Sequence, residues 1–237
     1  MQDLTLLVFT QDRPRALART LSFLRQTEPG LSLLVLDSSD DLVAERNRRL
    51  VRTFPSSWSI EYIPFAQTTD VARKVRSGLN SVSTRLVLPL GDDDYIDPHG
   101  ARASAEFLLK NTEYSHAHGG IMTYRSKSSA LDPRPSFRRY PQQSNEADAP
   151  LTRLVAHFTN YRNNFYSVTF TNLLMEGLEF VRDLPIGRSL QERALSAWML
   201  SAGKRKHLHC SFLYREKVGR TGFDENGRRI ISGDPDA

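Results

Sequence analysis

The chain has 237 residues, 39% of them apolar, enough for one large domain with a buried core or for two small ones. No stretch approaches the ~20 uninterrupted apolar residues of a membrane span, and Met1-Gln2-Asp3 lacks the basic-then-apolar order of a secretory signal. A cytoplasmic protein is expected, with at most peripheral contact at the inner face of a membrane. The single cysteine, Cys210, excludes a disulfide framework and a multi-cysteine zinc site, and 32 Lys and Arg against 27 Asp and Glu leave a charge of +5 that attracts phosphate-bearing molecules.

Residues 4–9 form a nearly continuous apolar run closed by Thr10-Gln11-Asp12-Arg13-Pro14, and Leu17, Leu21 and Leu24 follow at helical spacing. This reads as a buried strand, a turn and a helix. Residues 31–36 repeat the pattern and end at Asp37-Ser38-Ser39-Asp40 before a helix over 42–54. A third strand is expected over 59–65, a helix over 70–82 with Val71, Val75 and Leu79 on one face, and a fourth strand over 85–90. Asp92-Asp93-Asp94 comes directly after it. Pro98 opens a helix to about residue 109, and 114–124 reads as one long strand or as a pair interrupted at Gly119-Gly120. Residues 126–150 are rich in Ser, Pro, Gln, Asn and Arg without a period, as in a mobile functional loop. Helices are expected over 151–158, 170–181 and 190–201, and a strand over 207–214 holding Cys210 as a buried residue. The Gly-, Asp- and Arg-rich segment 223–237 reads as a flexible tail, or as the cut end of a longer multidomain chain.

Apolar strands alternating with helices imply an α/β fold with a mainly parallel central sheet covered on both faces. Ligands in such sheets bind beyond the carboxyl ends of the strands. Three polar clusters fall at those ends, at residues 10–13, 37–40 and 92–94. Adjacent aspartates repel one another unless a proton or a cation relieves them, and Mg²⁺ or Mn²⁺ prefers carboxylate and phosphate oxygens. The alternation of an extended segment places Asp92 and Asp94 on one side and Asp93 on the other. A solvated acidic turn is the simpler alternative.

As a set, Leu6-Leu7-Val8-Phe9-Thr10-Gln11-Asp12-Arg13-Pro14, Val35-Leu36-Asp37-Ser38-Ser39-Asp40 and Leu88-Pro89-Leu90-Gly91-Asp92-Asp93-Asp94-Tyr95-Ile96-Asp97-Pro98 resemble the family-2 glycosyltransferases. These are inverting enzymes of GT-A fold, and the resemblance is close over about residues 4–110 and loose beyond. It implies a Rossmann-like GT-A domain with a nucleotide-sugar-binding half over 1–110 and a smaller acceptor-side half over 111–222. It further implies that Thr10, Gln11 and Arg13 line the nucleotide pocket, that Asp37 contacts base or ribose, and that Arg73 and Lys74 approach the nucleotide. Asp92, Asp93 and Asp94 would meet the donor diphosphate and a Mn²⁺ or Mg²⁺ bridging it. Gly91 stands where many members carry the first acid of an Asp-Ser-Asp-Asp run. Asp37 also suits a helix cap, and the two roles are compatible.

An inverting transfer needs a carboxylate to deprotonate the acceptor hydroxyl. The resemblance puts it at the start of a late helix, where Glu192 follows Ser189-Leu190-Gln191. The family's Glu-Asp is here Glu192-Arg193, and Asp183 is the alternative base. His207 and His209 alternate along a strand and face one side, which makes His209 a candidate for the metal shell. Arg215, Lys217 and Arg220 fall near the family's mobile C-terminal segment, with Arg220 a candidate for the diphosphate. The implied activity is transfer from a UDP-, GDP- or dTDP-sugar to a saccharide or lipid-linked acceptor, as in surface polysaccharide synthesis.

A metal-dependent nucleotidyltransferase would combine a similar sheet with metal-binding aspartates, but usually carries a glycine-rich basic loop after the first strand, and 10–14 contains no glycine. A non-catalytic nucleotide- or anion-binding module would use the basic clusters at 46–49, 134–139, 204–206 and 215–220 and would leave the aspartates unexplained. These clusters lack the interleaved aromatics of a nucleic-acid reader, so no nucleic-acid partner is expected.

Overall fold

The computed structural model describes residues 3–27, 31–125, 136–182, 184, 188–216, 221–223 and 229–231. The leading βα grammar is realised as β1 (Leu4–Thr10), α1 (Pro14–Thr27), β2 (Ser32–Asp37), α2 (Asp41–Arg52), β3 (Ile60–Pro64), α3 (Val71–Leu79) and β4 (Leu86–Gly91). There follow β5 (Asp94–Ile96), α4 (Pro98–Lys110), β6 (Tyr114–Arg125), β7 (Ser136–Tyr140), α5 (Pro150–Thr159), β8 (Val168–Phe170), α6 (Thr171–Arg182), α7 (Arg188–Ala202), β9 (Lys204–Glu216), β10 (Thr221–Phe223) and β11 (Arg229–Ile231). The segment read as an unpatterned loop thus contains β7 and, at Asn145, a bridge to Arg205. Part of the segment read as a tail pairs as β10 with β11.

The sheet order is β3-β2-β1-β4-β8-β6-β9-β5, with β7 against β6. The first four strands are parallel, and β6 and β9 run the same way, while β8, β7 and β5 are antiparallel to their neighbours. Gly119-Gly120 does not split β6. It marks a shift in register against β9, where a Cβ on Gly119 would lie 2.6 Å from the Cys210 carbonyl oxygen. Cys210 itself is half-buried rather than buried.

Strand alternation divides the core in two. Leu4, Leu6, Val8, Leu33, Val35, Leu88 and Leu90 face α1 and α4 through Leu17, Leu21, Leu24, Ala101 and Leu108. Leu7, Leu34, Leu36 and Val87 face α3, α6 and α7 through Val75, Leu79, Leu174, Leu178, Leu195 and Met199. Each buried leucine contributes about 1.5–3 kcal/mol, and burial on both faces is why these strands read as continuous apolar runs. The expected α/β layering, with helices on both faces of a mostly parallel sheet, is the one found. Register then levels the strand ends, with Thr10 opposite Asp37 on one side of β1 and Phe9 opposite Gly91 on the other.

Candidate functional site

The aspartate triplet sits where β4 ends and turns into β5. Asp92 and Asp94 are buried while Asp93 is half-buried, the alternation expected of an extended segment. Arg13, on the turn between β1 and α1, donates through Nη1 to Asp92 Oδ1 at 2.9 Å and through Nη2 to Asp93 Oδ2 at 3.0 Å. Thr10 donates to Asp92 Oδ2 at 2.7 Å, and Thr20 of α1 donates to the Asp92 carbonyl at 2.6 Å. Asp94 is paired across the β5–β9 ladder with Arg215, whose Nε lies 3.3 Å from Asp94 Oδ1. The Arg215 guanidinium also lies over the Tyr166 ring, 4.2 Å from its centre.

Burial pushes Asp92 up to about 7, against the opposing pull of Arg13 and the Thr10 hydroxyl and with the repulsion of Asp93. Burial likewise raises Asp94 to about 7, against Arg215 and with Asp93. Both carboxyls therefore hold their protons well above the ordinary carboxylate range.

Two carboxylate oxygens flank one small space. Asp93 Oδ1 and Asp94 Oδ2 would lie 3.0 and 3.2 Å from a Cβ on residue 91, which is glycine. Asp94 Oδ2 is buried without a hydrogen-bond partner. Among the described residues no group of three His, Cys, Asp or Glu side chains gathers as a metal cage. Two carboxylates with room between them nevertheless fit the Mg²⁺ habit of taking one or two protein carboxylates and completing its shell with phosphate and water.

The neighbouring strand ends are tied together rather than left open. Lys74, only 2% exposed, donates to the Thr10 carbonyl at 2.8 Å and to Ser38 Oγ at 2.9 Å, joining β1 to β2. Asp12 has φ 54°, a left-handed conformation that Asp tolerates because its side chain bonds locally. Its N–H donates to Ser39 Oγ, and its carboxylate accepts from the Asp40 N–H and from Gln67. Gln11 donates to the Gln67 carbonyl, and exposed Arg73 pairs with Asp70, the cap of its own helix.

Asp37 is 1% exposed and its carboxylate accepts from the Ser39 N–H, from Asn47 and from Tyr62, each at 2.8 Å. It does not cap α2; Asp40 does, accepting from the Val43 N–H. In this arrangement Asp37 shapes the β2 end from beneath.

An open cleft is lined by Phe9, Ala72, Asn163, Phe165, Tyr166 and Glu192. A second is bounded by Thr123, Tyr140, Gln142, Asn163, Tyr166 and Arg215. Asn163 and Tyr166 stand between the two. Tyr166 feels Arg215, Asp94, Asp93 and Glu192 together, and burial raises its hydroxyl to about 12. Glu192 therefore opens into a cleft walled by Tyr166, whose ring carries Arg215, the partner of Asp94, and it accepts from the Tyr161 hydroxyl at 3.1 Å.

Not every residue singled out in the sequence is gathered here. His209 is exposed on β9, six residues before Arg215 and roughly 20 Å along the strand at ~3.3 Å per residue. Asp183, Lys217 and Arg220 lie outside the described residues. Thr20, Asn163 and Tyr166 carried no sequence signal, since their roles depend on contacts made across the fold, and Asp12 was legible only as a member of the 10–13 cluster, not as a clamp on Ser39, Asp40 and Gln67.

No protein-family model and no curated protein matches the sequence. Solved structures do match the fold. Staphylococcus aureus TarS 1–349 in complex with UDP-GlcNAc has a TM-score of 0.63 at 15% identity, over 96% of this chain and 62% of that one. The complex of the same fragment with UDP gives 0.58 at 16% identity, over 91% and 61%. TarS 1–349 without a named ligand gives 0.62 at 14%, over 90% and 60%. The chain thus spans under two thirds of the length of these structures. The likeness shows a GT-A-like fold.

Proposed function

We propose that the chain is a family-2-type glycosyltransferase that binds a nucleotide-diphosphate sugar over the ends of β1, β2 and β4 and transfers the sugar to an acceptor hydroxyl in the Glu192 cleft. The observation that carries this reading is the carboxylate cluster Asp92-Asp93-Asp94, buried at Asp92 and Asp94 and gripped by Arg13 and Arg215 at the carboxyl ends of the strands. Structures of similar fold contain UDP-GlcNAc and UDP. Thr10, Gln11 and Arg13 are assigned to the nucleotide side, with Lys74 and Asp37 holding the strand ends that carry them.

Asp93 and Asp94 would hold Mn²⁺ or Mg²⁺ between them, with Asp92 adjoining. Such an ion neutralises charge on a departing diphosphate. Arg13 and Arg215 are placed to exchange their carboxylate partners for phosphate oxygens, a role suited to the planar guanidinium. Glu192 takes the acceptor proton as the acceptor oxygen bonds to the anomeric carbon, while the bond from that carbon to the diphosphate breaks on the opposite side and gives inversion. The acceptor is a saccharide or lipid-linked saccharide, and the site of action is the cytoplasm or the inner membrane face. Among the described residues no helix is long and apolar enough to cross a membrane.

Thermal shift with UDP, GDP, dTDP and ATP, each with and without Mn²⁺, tests binding. At least one nucleoside diphosphate is expected to raise Tm in a metal-dependent way, and Asp94→Ala to abolish the rise. Donor hydrolysis across a nucleotide-sugar panel tests turnover, with Glu192→Gln expected to lose about 10²-fold or more in kcat while donor binding persists. Turnover unchanged in both Asp92→Ala and Asp94→Ala would remove the basis of the assignment.

A further inference from the structure

One turn of chain behind Asn163 lies a second polar group that the proposed reaction does not use. Among the described residues two arginines of this half are buried, Arg153 and Arg205, and their surroundings differ. Arg153, 4% exposed, donates to the carbonyl oxygens of Leu200, Ala147, Asp148 and Ser201, so its charge rests on four oxygens. Arg205 is 2% exposed. Its Nη1 donates to Asn164 Oδ1 at 2.8 Å, its Nε has no partner, and among the described residues no carboxylate pairs with it.

The groups that act on Arg205, or on which it acts, are Arg162, His116, His118, His157 and His207, without an acid among them. The same neighbourhood holds several buried polar atoms with no partner: His116 Nε2, both ring nitrogens of His157, Asn164 Nδ2 and His207 Nε2. Burial, reinforced by the Arg205 charge, keeps His116 well below the usual imidazole range, and His118 and His157 down at about 3 and about 4. These imidazoles are neutral near pH 7 and carry one N–H each. His118 donates its own to the Gly119 carbonyl and His116 its own to the Ser115 hydroxyl, which donates to the Lys204 carbonyl, while the His157 N–H has no partner among the described residues.

A guanidinium cannot shed its proton, and a buried charge without a partner is strongly destabilising. What is missing is negative charge, not further donors. We propose that Arg205 Nε, Asn164 Nδ2 and the His157 N–H hold a small inorganic anion of the chloride class. Two considerations set the class. Side chains buried to this degree leave no access for a sugar or a nucleotide, and one buried guanidinium, with Arg162 near it and neutral N–H donors beside it, suits a monoanion that gives up its water readily. The site has a mechanical consequence, because Asn164 adjoins Asn163, the wall of both clefts, on the segment that also carries Tyr161 and Tyr166. An anion bound to Arg205 and Asn164 would fix that segment.

Crystals of the full chain grown in sodium bromide test this directly, since bromide replaces chloride and scatters anomalously. An anomalous peak within hydrogen-bonding reach of Arg205 Nε is expected, and its absence overturns the proposal. In solution, melting is followed in gluconate buffer as chloride is added at constant ionic strength. Above saturation, Tm should rise by roughly 3–5 °C for each tenfold increase in chloride, and Arg205→Met should remove the rise. A rise that persists in Arg205→Met, or stabilisation by phosphate and sulfate but not by halide, overturns the assignment. Should Arg205→Met fail to fold, Asn164→Ala is read instead. Reduced bromide occupancy with a smaller shift supports the site, and unchanged values for both refute it.

Discussion

Asp94 Oδ2 is a buried carboxylate oxygen with no hydrogen-bond partner, beside a glycine where a side chain would fill the adjoining space. Such an atom needs either a proton or a cation. Asp92 and Asp94 have folded-state values near 7, above the ordinary carboxylate range near 3.9. Between about pH 4 and pH 7 the folded protein then holds more protons than the unfolded chain, so stability is highest near the lower bound and declines as pH rises through 7. Metal-free protein is expected to melt at lower temperature at pH 8 than at pH 5, with a flatter profile in Asp92→Asn and in Asp94→Asn. Gly91→Asp introduces the acid that many family-2 glycosyltransferases carry at the position matched by Gly91, yet here it should harm. Its Cβ would press on Asp93 Oδ1 and Asp94 Oδ2 at 3.0 and 3.2 Å and bring a further negative charge. A loss of about 1–3 kcal/mol, read from urea unfolding, and a weaker Mn²⁺-dependent response to UDP are expected.

Among the elements, α4 is pressed closely onto β9. A Cβ on Gly100 would lie 1.9 Å from the Ser211 carbonyl oxygen, a backbone atom that cannot swing aside. Alanine would bring about 1 kcal/mol of helix propensity, and the clash outweighs it. Gly100→Ala is expected to destabilise by about 3 kcal/mol, measured as a lower urea midpoint at unchanged slope. The elements that sequence reading recovered are those with a period to read. Leu17, Leu21 and Leu24 mark α1, and the apolar runs mark β1, β2 and β4. β5 and β8 have three residues each and are too short to show alternation, and β7 exposes every side chain, so it carries no hydrophobic signal. The triplet was legible because charge at a strand end is unusual. Its partner Arg215 lies 121 residues further on, and only sheet register brings the two together. Asp37 was legible as a strand-end acid, but its saturation by Ser39, Asn47 and Tyr62 was not, since Tyr62 arrives from β3.

For the molecule as a whole, the division into a donor half and an acceptor half describes which ligand each is assigned, while the contacts run across it. β4 pairs with β8, and β5 has β9 as its only strand partner among the described residues. A polypeptide ended after Lys110 would keep Thr10, Arg13 and all three aspartates, yet it would expose the apolar edge of β4, lose Arg215 from Asp94 and leave β5 as an isolated three-residue strand. Such a fragment is expected to aggregate and to show no response to UDP with Mn²⁺. Co-expressed with residues 111–237 as a separate piece, it should regain solubility, and nucleotide response should return only when the two pieces copurify. On the proposed function, the β5–β9 ladder would then act as a coincidence detector: the donor site would form only once the last strand of the sheet had been made and docked, and a nascent or truncated chain would not capture nucleotide sugar before its acceptor side existed.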